Sequence, residues 1–120
     1  VQRYLVGEPK DEGQWGTGMI PKDRLEDYGR RQGIADALDN VTVKHVNGGT
    51  STLGFKSYDQ GRQKWQGETL DGVWCDEEPP MDIYMEALTR TNATAGMTMI
   101  TFTPLLGMST VVSMFLGDAV

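Results

Sequence analysis

Cysteine and histidine are nearly missing from this 120-residue chain; each occurs once, as Cys75 and His45. A single cysteine excludes an intrachain disulfide and fits a reducing compartment. Cys75 lies inside an apolar run, so it is expected as a buried, inert thiol. His45 has no cysteine or second histidine at ligand spacing, so it reads as a packed or surface side chain rather than a metal ligand. No apolar run is long enough to span a bilayer, and the N-terminus shows no charged-then-apolar signal pattern. No membrane partner is therefore expected. Also missing is a phosphate loop: the glycine-rich stretch Lys10–Gly18 (KDEGQWGTG) is not followed by Gly-Lys-Ser/Thr. Positive charge is scarce in one half only. Residues 1–65 carry ten Lys/Arg against nine Asp/Glu, whereas residues 66–120 carry Arg90 alone against eight acids. That acidic half argues against nonspecific binding of nucleic-acid phosphates over its surface. It suits a metal ion, a basic partner or simple solvation.

What the chain does contain fits one ordinary α/β domain or a piece of one: 38% hydrophobic and 23% charged residues. Fifteen glycines imply many tight turns. Pro21–Tyr28 is predicted as a helix with proline in its first turn and Gly29 as its stop. Ile34–Leu38 is read as one more helical turn. Val41–Val46 alternates, Asn47-Gly48-Gly49 is a strong turn signal, and Thr50–Lys56 is a second strand, so a β-hairpin is predicted. Ser57–Gly67 reads as a short helix or turn. Leu70–Cys75 is predicted as a core strand and Met81–Arg90 as a helix with an apolar stripe of Met81, Tyr84, Met85 and Leu88 and an ion pair between Glu86 and Arg90. Met97–Thr103 is a further strand, ended by Pro104, and Ser109–Leu116 begins a last helix. The edges of such a sheet would need covering, so the chain is expected to be part of a larger domain.

The run Leu70–Pro80 (LDGVWCDEEPP) carries the most chemical information. An apolar strand delivers Asp76, Glu77 and Glu78 to its carboxyl end and stops at two prolines. Ligands of α/β proteins bind at the carboxyl ends of core strands. In a hydrolytic ATPase, Asp76 at such a tip would organise Mg²⁺, and Glu77 would orient and deprotonate the attacking water. Glu78 would point back to the protein or support the Pro-Pro turn. Solvated acidic strand ends are also common, so the pattern alone is of modest specificity. Thr101 and Thr103, on the second strand, could hydrogen-bond the water or a phosphate, although β-branched residues there also suit strand packing.

Taken together, Gly16–Pro21 (GTGMIP), Phe55–Gly61 (FKSYDQG), Trp65-Gln66-Gly67, Trp74–Pro80 (WCDEEPP), Glu86–Arg90 (EALTR) and Thr101–Gly107 (TFTPLLG) resemble the large terminase subunit of tailed double-stranded DNA bacteriophages. The resemblance runs roughly from Val1 to Leu116. It implies that residues 1–120 are the C-terminal portion of the terminase ATPase domain, an additional-strand (RecA-like) P-loop NTPase core with a mainly parallel sheet flanked by helices and a β-hairpin, with the Walker A segment and the nuclease domain outside these residues. Asp76 would be the Walker B metal acid, Glu77 the catalytic glutamate, and Thr101-Phe102-Thr103 the coupling motif. The implied cofactors are ATP and Mg²⁺. The implied partners are double-stranded DNA, the portal protein, the small terminase subunit and further copies of the same subunit, in the cytoplasm of the bacterial host. The chain departs from the family at Gln66, where many members carry an arginine that acts as a finger on a neighbouring subunit; either Arg62, Lys64 or Arg90 would substitute or the finger lies outside these residues, and for Arg90 pairing with Glu86 is an equal expectation. Without the phosphate loop these 120 residues alone are expected to be inactive. The alternatives are a helicase-like P-loop ATPase, which leaves Thr101–Leu105 (TFTPL) unexplained, and a non-catalytic prophage remnant acting as an interaction module.

Overall fold

The computed structural model of the chain describes residues 1–31, 38–104, 107 and 109–116. They fall into two units, Val1–Phe55 and Lys56–Val120. In the first, a short helix α1 (Gln2–Leu5) is followed by the glycine-rich loop, then by strands β1 (Leu25–Arg30), β2 (Leu38–Lys44) and β3 (Thr50–Gly54). The strands form an antiparallel sheet in the order β1-β2-β3. Val6, Trp15, Leu25, Leu38 and Val41 make its core, with Tyr28, Val43, Leu53 and Phe55 packed around them. The loop folds back on α1: the amides of Gly16 and Gly18 donate to the Val6 carbonyl at 2.7 and 3.2 Å. Gly18 is required there, because a Cβ would lie 2.6–2.8 Å from the Leu5 and Tyr4 main chain. Its glycines thus serve chain packing.

The predicted hairpin is present. Its turn is closed by the His45 amide on the Gly49 carbonyl at 2.8 Å and by the Gly49 amide on Asn47 Oδ1 at 2.8 Å. His45 is exposed and its Nδ1 accepts from the Asn47 amide at 3.2 Å, which is a turn contact. The helix expected over Pro21–Tyr28 is not formed. Pro21 leads into a single 3-10 turn, Lys22–Arg24, and Leu25 starts β1. Local helix signals lose here to pairing: Tyr28 lies opposite Val41 and its ring sits 4.9 Å from that of Trp15. Gly29, read as a helix stop, is a strand residue whose missing Cβ makes room for the Asn40 side chain. Residues 34–37 of the expected helical turn, and Leu105 and Leu106 of the TFTPLLG motif, lie outside the described residues.

The second unit begins with two 3-10 turns, Tyr58–Gln60 and Arg62–Trp65, followed by β4 (Gly72–Asp76), α2 (Met81–Asn92), β5 (Met97–Thr101) and α3 (Thr110–Leu116). β4 and β5 pair in parallel, from Gly72 beside Met97 to Asp76 beside Thr101. Parallel neighbours need a crossover, and α2 supplies it, so β4-α2-β5 is a βαβ unit. The mixed α/β class therefore holds, but parallel pairing is confined to these two strands; the other three described strands are antiparallel.

Pro80 precedes the first turn of α2, where Asp82 Oδ1 accepts from the Ile83 amide at 2.9 Å. The helix ends at Asn92, and the turn that closes it, with the Gly96 amide on the Thr91 carbonyl at 2.9 Å, puts Ala95 in the left-handed conformation (φ 52°) that follows many helix ends. The buried stripe of α2 is Ile83, Tyr84, Ala87 and Thr91, together with Glu86. This corrects the expected stripe: Tyr84 belongs to it, but Met85 is 47% exposed, and Met81 and Leu88 are only partly covered. Small side chains line the close approach to the strands, where Thr91 Oγ1 sits 3.4 Å from Thr98 Oγ1. Size and apolarity alone point to the wrong rotation.

Candidate functional site

Side chains alternate along a strand and match across paired neighbours. Trp74 and Asp76 on β4 therefore share a face with Met99 and Thr101 on β5. Val73, Cys75, Thr98 and Ile100 face the other way, toward α2, and Cys75 is buried as expected. The apolar character of β4 thus comes from one covered face; Trp74 is half-buried and Met97 and Met99 are 70% and 43% exposed.

A directional hydrogen-bond chain crosses the tip. The Trp74 indole N–H donates to Thr101 Oγ1 at 2.8 Å, and the Thr101 hydroxyl donates to Asp76 Oδ1 at 3.1 Å. An indole nitrogen can only donate, so the hydroxyl proton is left for the carboxylate. One carboxylate oxygen of Asp76 is thereby held, on a side chain that remains exposed.

Glu77 follows directly. Its backbone is left-handed, with φ 70°. Its amide donates to the Thr101 carbonyl at 2.7 Å, continuing the ladder past the end of β4. Its carbonyl accepts from the Tyr58 hydroxyl at 2.8 Å, which also lies 3.2 Å from the Asp76 carbonyl. Burial pushes the Tyr58 phenol well above its ordinary range, and the neighbouring Cys75, Asp76 and Glu77 push in the same direction. Burial likewise raises the Cys75 thiol, opposed by its contact with Tyr58. Both groups therefore stay protonated at neutral pH. Glu78 is half-buried and Pro79 buried, anchoring the exit toward α2.

The structure brings together Asp76, Glu77 and Thr101. Thr103 lies two residues past β5, exposed, and is not among the hydrogen-bond partners of the tip. Arg90 lies elsewhere. Its backbone carbonyl accepts from the Leu70 amide at 2.9 Å, before the start of β4. At roughly 3.3 Å per residue, the length of β4, about 13 Å, separates that end from Asp76. Arg90 Nε instead approaches Glu86 Oε2 at 3.4 Å, an ion pair short of hydrogen-bond geometry, while Arg62 Nε donates to Glu86 Oε1 at 3.0 Å. The predicted Glu86–Arg90 pair is thus present, with Arg62 as a third member. Glu86 is buried, so two of the three cations considered in place of an arginine at position 66 serve a structural carboxylate. Lys64 sits exposed in the second 3-10 turn.

The donor set at the tip is hard oxygen. Among the described residues, no group of three or more His, Cys, Asp or Glu is placed to hold a metal by itself. One exposed carboxylate suits Mg²⁺, which usually keeps several waters and binds through one or two carboxylates plus substrate phosphates. Sequence reasoning missed Tyr58 and the indole of Trp74. Both stand in the motifs that carry the resemblance, yet neither spacing nor composition indicates a contact across such distances along the chain.

Comparison with known proteins agrees with the resemblance. Residues 5–119 match the family described as terminase large subunit, T4likevirus-type, N-terminal. The chain is 45% identical over 123 residues to the terminase large subunit of Salmonella phage P22, a match covering 98% of this chain and 25% of that protein. It is 44% identical over 52 residues to the terminase large subunit of Enterobacteria phage LP7, covering 43% of this chain and 11% of that protein. The chain thus spans about a quarter of the length of the P22 relative. No solved structure matches at a significant level. With its family model matched over nearly every residue, the chain belongs to the large terminase subunit family, in the N-terminal region of that subunit.

Proposed function

We propose that these residues form the metal-organising and water-activating part of an ATPase that packages double-stranded viral DNA into a capsid. The reading is carried by one observation: in a chain of the terminase family, Asp76 and Glu77 stand at the carboxyl tip of a βαβ unit, beside Thr101. In α/β proteins that tip is where ligands bind.

In this reading Asp76 holds Mg²⁺, which supplies neutralisation of charge on the phosphates of ATP. Thr101 holds one oxygen of Asp76, and the other would be the one to take the ion or a water bound to it. Glu77 orients the attacking water and accepts its proton. Thr101 and Thr103 lie on the segment that would link hydrolysis to movement along DNA. Arg90 is assigned to Glu86 and given no nucleotide contact within its own chain. The surrounding fold is a P-loop NTPase core, whose phosphate-binding loop these 120 residues do not contain. The working assembly is a homo-oligomer with the portal protein and the small terminase subunit, in the cytoplasm of the bacterial host. Family membership favours this motor over the helicase-like alternative.

The test uses the full-length protein. Glu77→Gln should abolish ATP hydrolysis and leave ATP binding intact; hydrolysis at the wild-type rate would remove Glu77 from its role. The 120 residues alone should show no micromolar ATP binding by calorimetry, since the phosphate loop and its lysine supply much of the nucleotide contact.

A further inference from the structure

We infer that Tyr58 is a positioning residue for Glu77: its hydroxyl clamps the turn that takes the Glu77 side chain off the α2 face of the sheet and leaves it exposed beside Asp76. The inference rests on the reading of Glu77 as the water-activating residue.

Strand parity sets what position 77 would otherwise do. Residues 73 and 75 face α2. Regular alternation would put position 77 on that same face, beyond the buried Cys75. A carboxylate there would be desolvated against the helix. Glu77 instead leaves the strand conformation with φ 70° and is exposed. A left-handed backbone is costly for any residue with a Cβ and persists only where its surroundings hold it. Stopping the strand does not require it, because Pro79 and Pro80 follow within three residues. Among the described residues of this unit, the other left-handed non-glycine residue, Ala95, is explained by the turn that closes α2.

Two contacts hold Glu77, one on each side of its Cα. The amide is tied to the Thr101 carbonyl and the carbonyl to the Tyr58 hydroxyl, at 2.7 and 2.8 Å. The first is a ladder bond that a regular strand could also make. The second fixes the peptide after the turn, and it comes from a side chain outside the βαβ unit. Tyr58 is itself set by a local brace, in which the Ser57 amide donates to Gln60 Oε1 at 2.8 Å and the Gln60 amide to the Ser57 carbonyl at 3.2 Å. The Ser57–Gly61 segment thereby seats a permanent donor under the catalytic turn.

Tyr58→Phe keeps the ring and removes the donor. In the full-length protein it should lower kcat for ATP hydrolysis about tenfold or more while KM for ATP stays within about twofold, because orientation is lost and not binding. In a Glu77→Gln background, where hydrolysis is already abolished, the same change should leave ATP binding unaltered, since it acts on orientation and not on nucleotide contact. Amide hydrogen exchange should accelerate at Glu77 and stay unchanged at Tyr84 in α2. Unchanged exchange at Glu77 would overturn the clamp. So would wild-type kcat in Tyr58→Phe alongside an inactive Glu77→Gln. A fully active Glu77→Gln would instead sink the catalytic reading, and the exchange result would still decide whether Tyr58 holds the turn.

Discussion

Thr101→Val removes one hydroxyl from the tip of β5 and breaks two hydrogen bonds together. Valine keeps the branched shape and the strand preference of threonine, and the Thr101 carbonyl still receives the Glu77 amide. The change therefore isolates the hydroxyl. The lost bond to the Asp76 carboxylate would contribute about 1.5–3 kcal/mol if buried, and less here because Asp76 is exposed. The half-buried indole of Trp74 also loses its acceptor, at a cost of about 1 kcal/mol. Together Thr101→Val should destabilise the chain by roughly 1–2 kcal/mol, measured by urea denaturation followed by circular dichroism. Thr101→Ser should recover most of the loss. In a double-mutant cycle with Trp74→Phe the coupling should reach about 0.5–1 kcal/mol, the range for residues in one network. A Thr101→Val variant within ~0.3 kcal/mol of wild type, or a coupling near zero, would show that the chain of bonds across the tip does not hold Asp76.

Three further outcomes follow from the same geometry. Gly18→Ala places a methyl against the Leu5 and Tyr4 main chain and should cost about 2–3 kcal/mol in urea denaturation, whereas Gly54→Ala, with open space around it, should cost well under 1 kcal/mol. Glu86→Ala leaves the mostly covered Arg90 without its carboxylate and should destabilise by about 1–3 kcal/mol; Arg62→Ala should cost no more than ~1 kcal/mol, because Arg62 is 53% exposed. Stability should also fall at alkaline pH. Tyr58 and Cys75 are both raised above their ordinary values of 10.0 and 9.0. Their contribution is complete below the unfolded values and is lost as pH rises through them toward the folded ones, because the unfolded chain releases its protons first. Thermal melts across that range should flatten in the Tyr58→Phe and Cys75→Ala variants.

Legibility differs between elements for physical reasons. The β4 strand, its acidic tip, α2 and β5 are readable in the sequence because burial against a helix and abrupt proline stops leave strong local patterns. The hairpin is readable because Asn47-Gly48-Gly49 demands a turn wherever it occurs. The helix signals of Pro21–Tyr28 mislead because they are local, whereas Leu25 and Tyr28 are claimed by a strand and an indole ring elsewhere in the chain. The stripe of α2 misleads because both rotations satisfy helical periodicity, and only the strands select Ala87 and Thr91 for the narrow interface.

The residues by themselves determined that two carboxylates end an apolar strand, that a proline pair follows, and that the motifs around them are those of the terminase family. They could not determine which partners those carboxylates meet. The tertiary structure decided that Thr101 belongs to Asp76, that Arg62 joins Arg90 at Glu86, and that Glu77 is turned out of the strand between Thr101 and Tyr58. The division has a simple cause. Strand and turn preferences are properties of neighbouring residues. A hydrogen bond between positions 19 or 25 residues apart exists only once the sheet has aligned them.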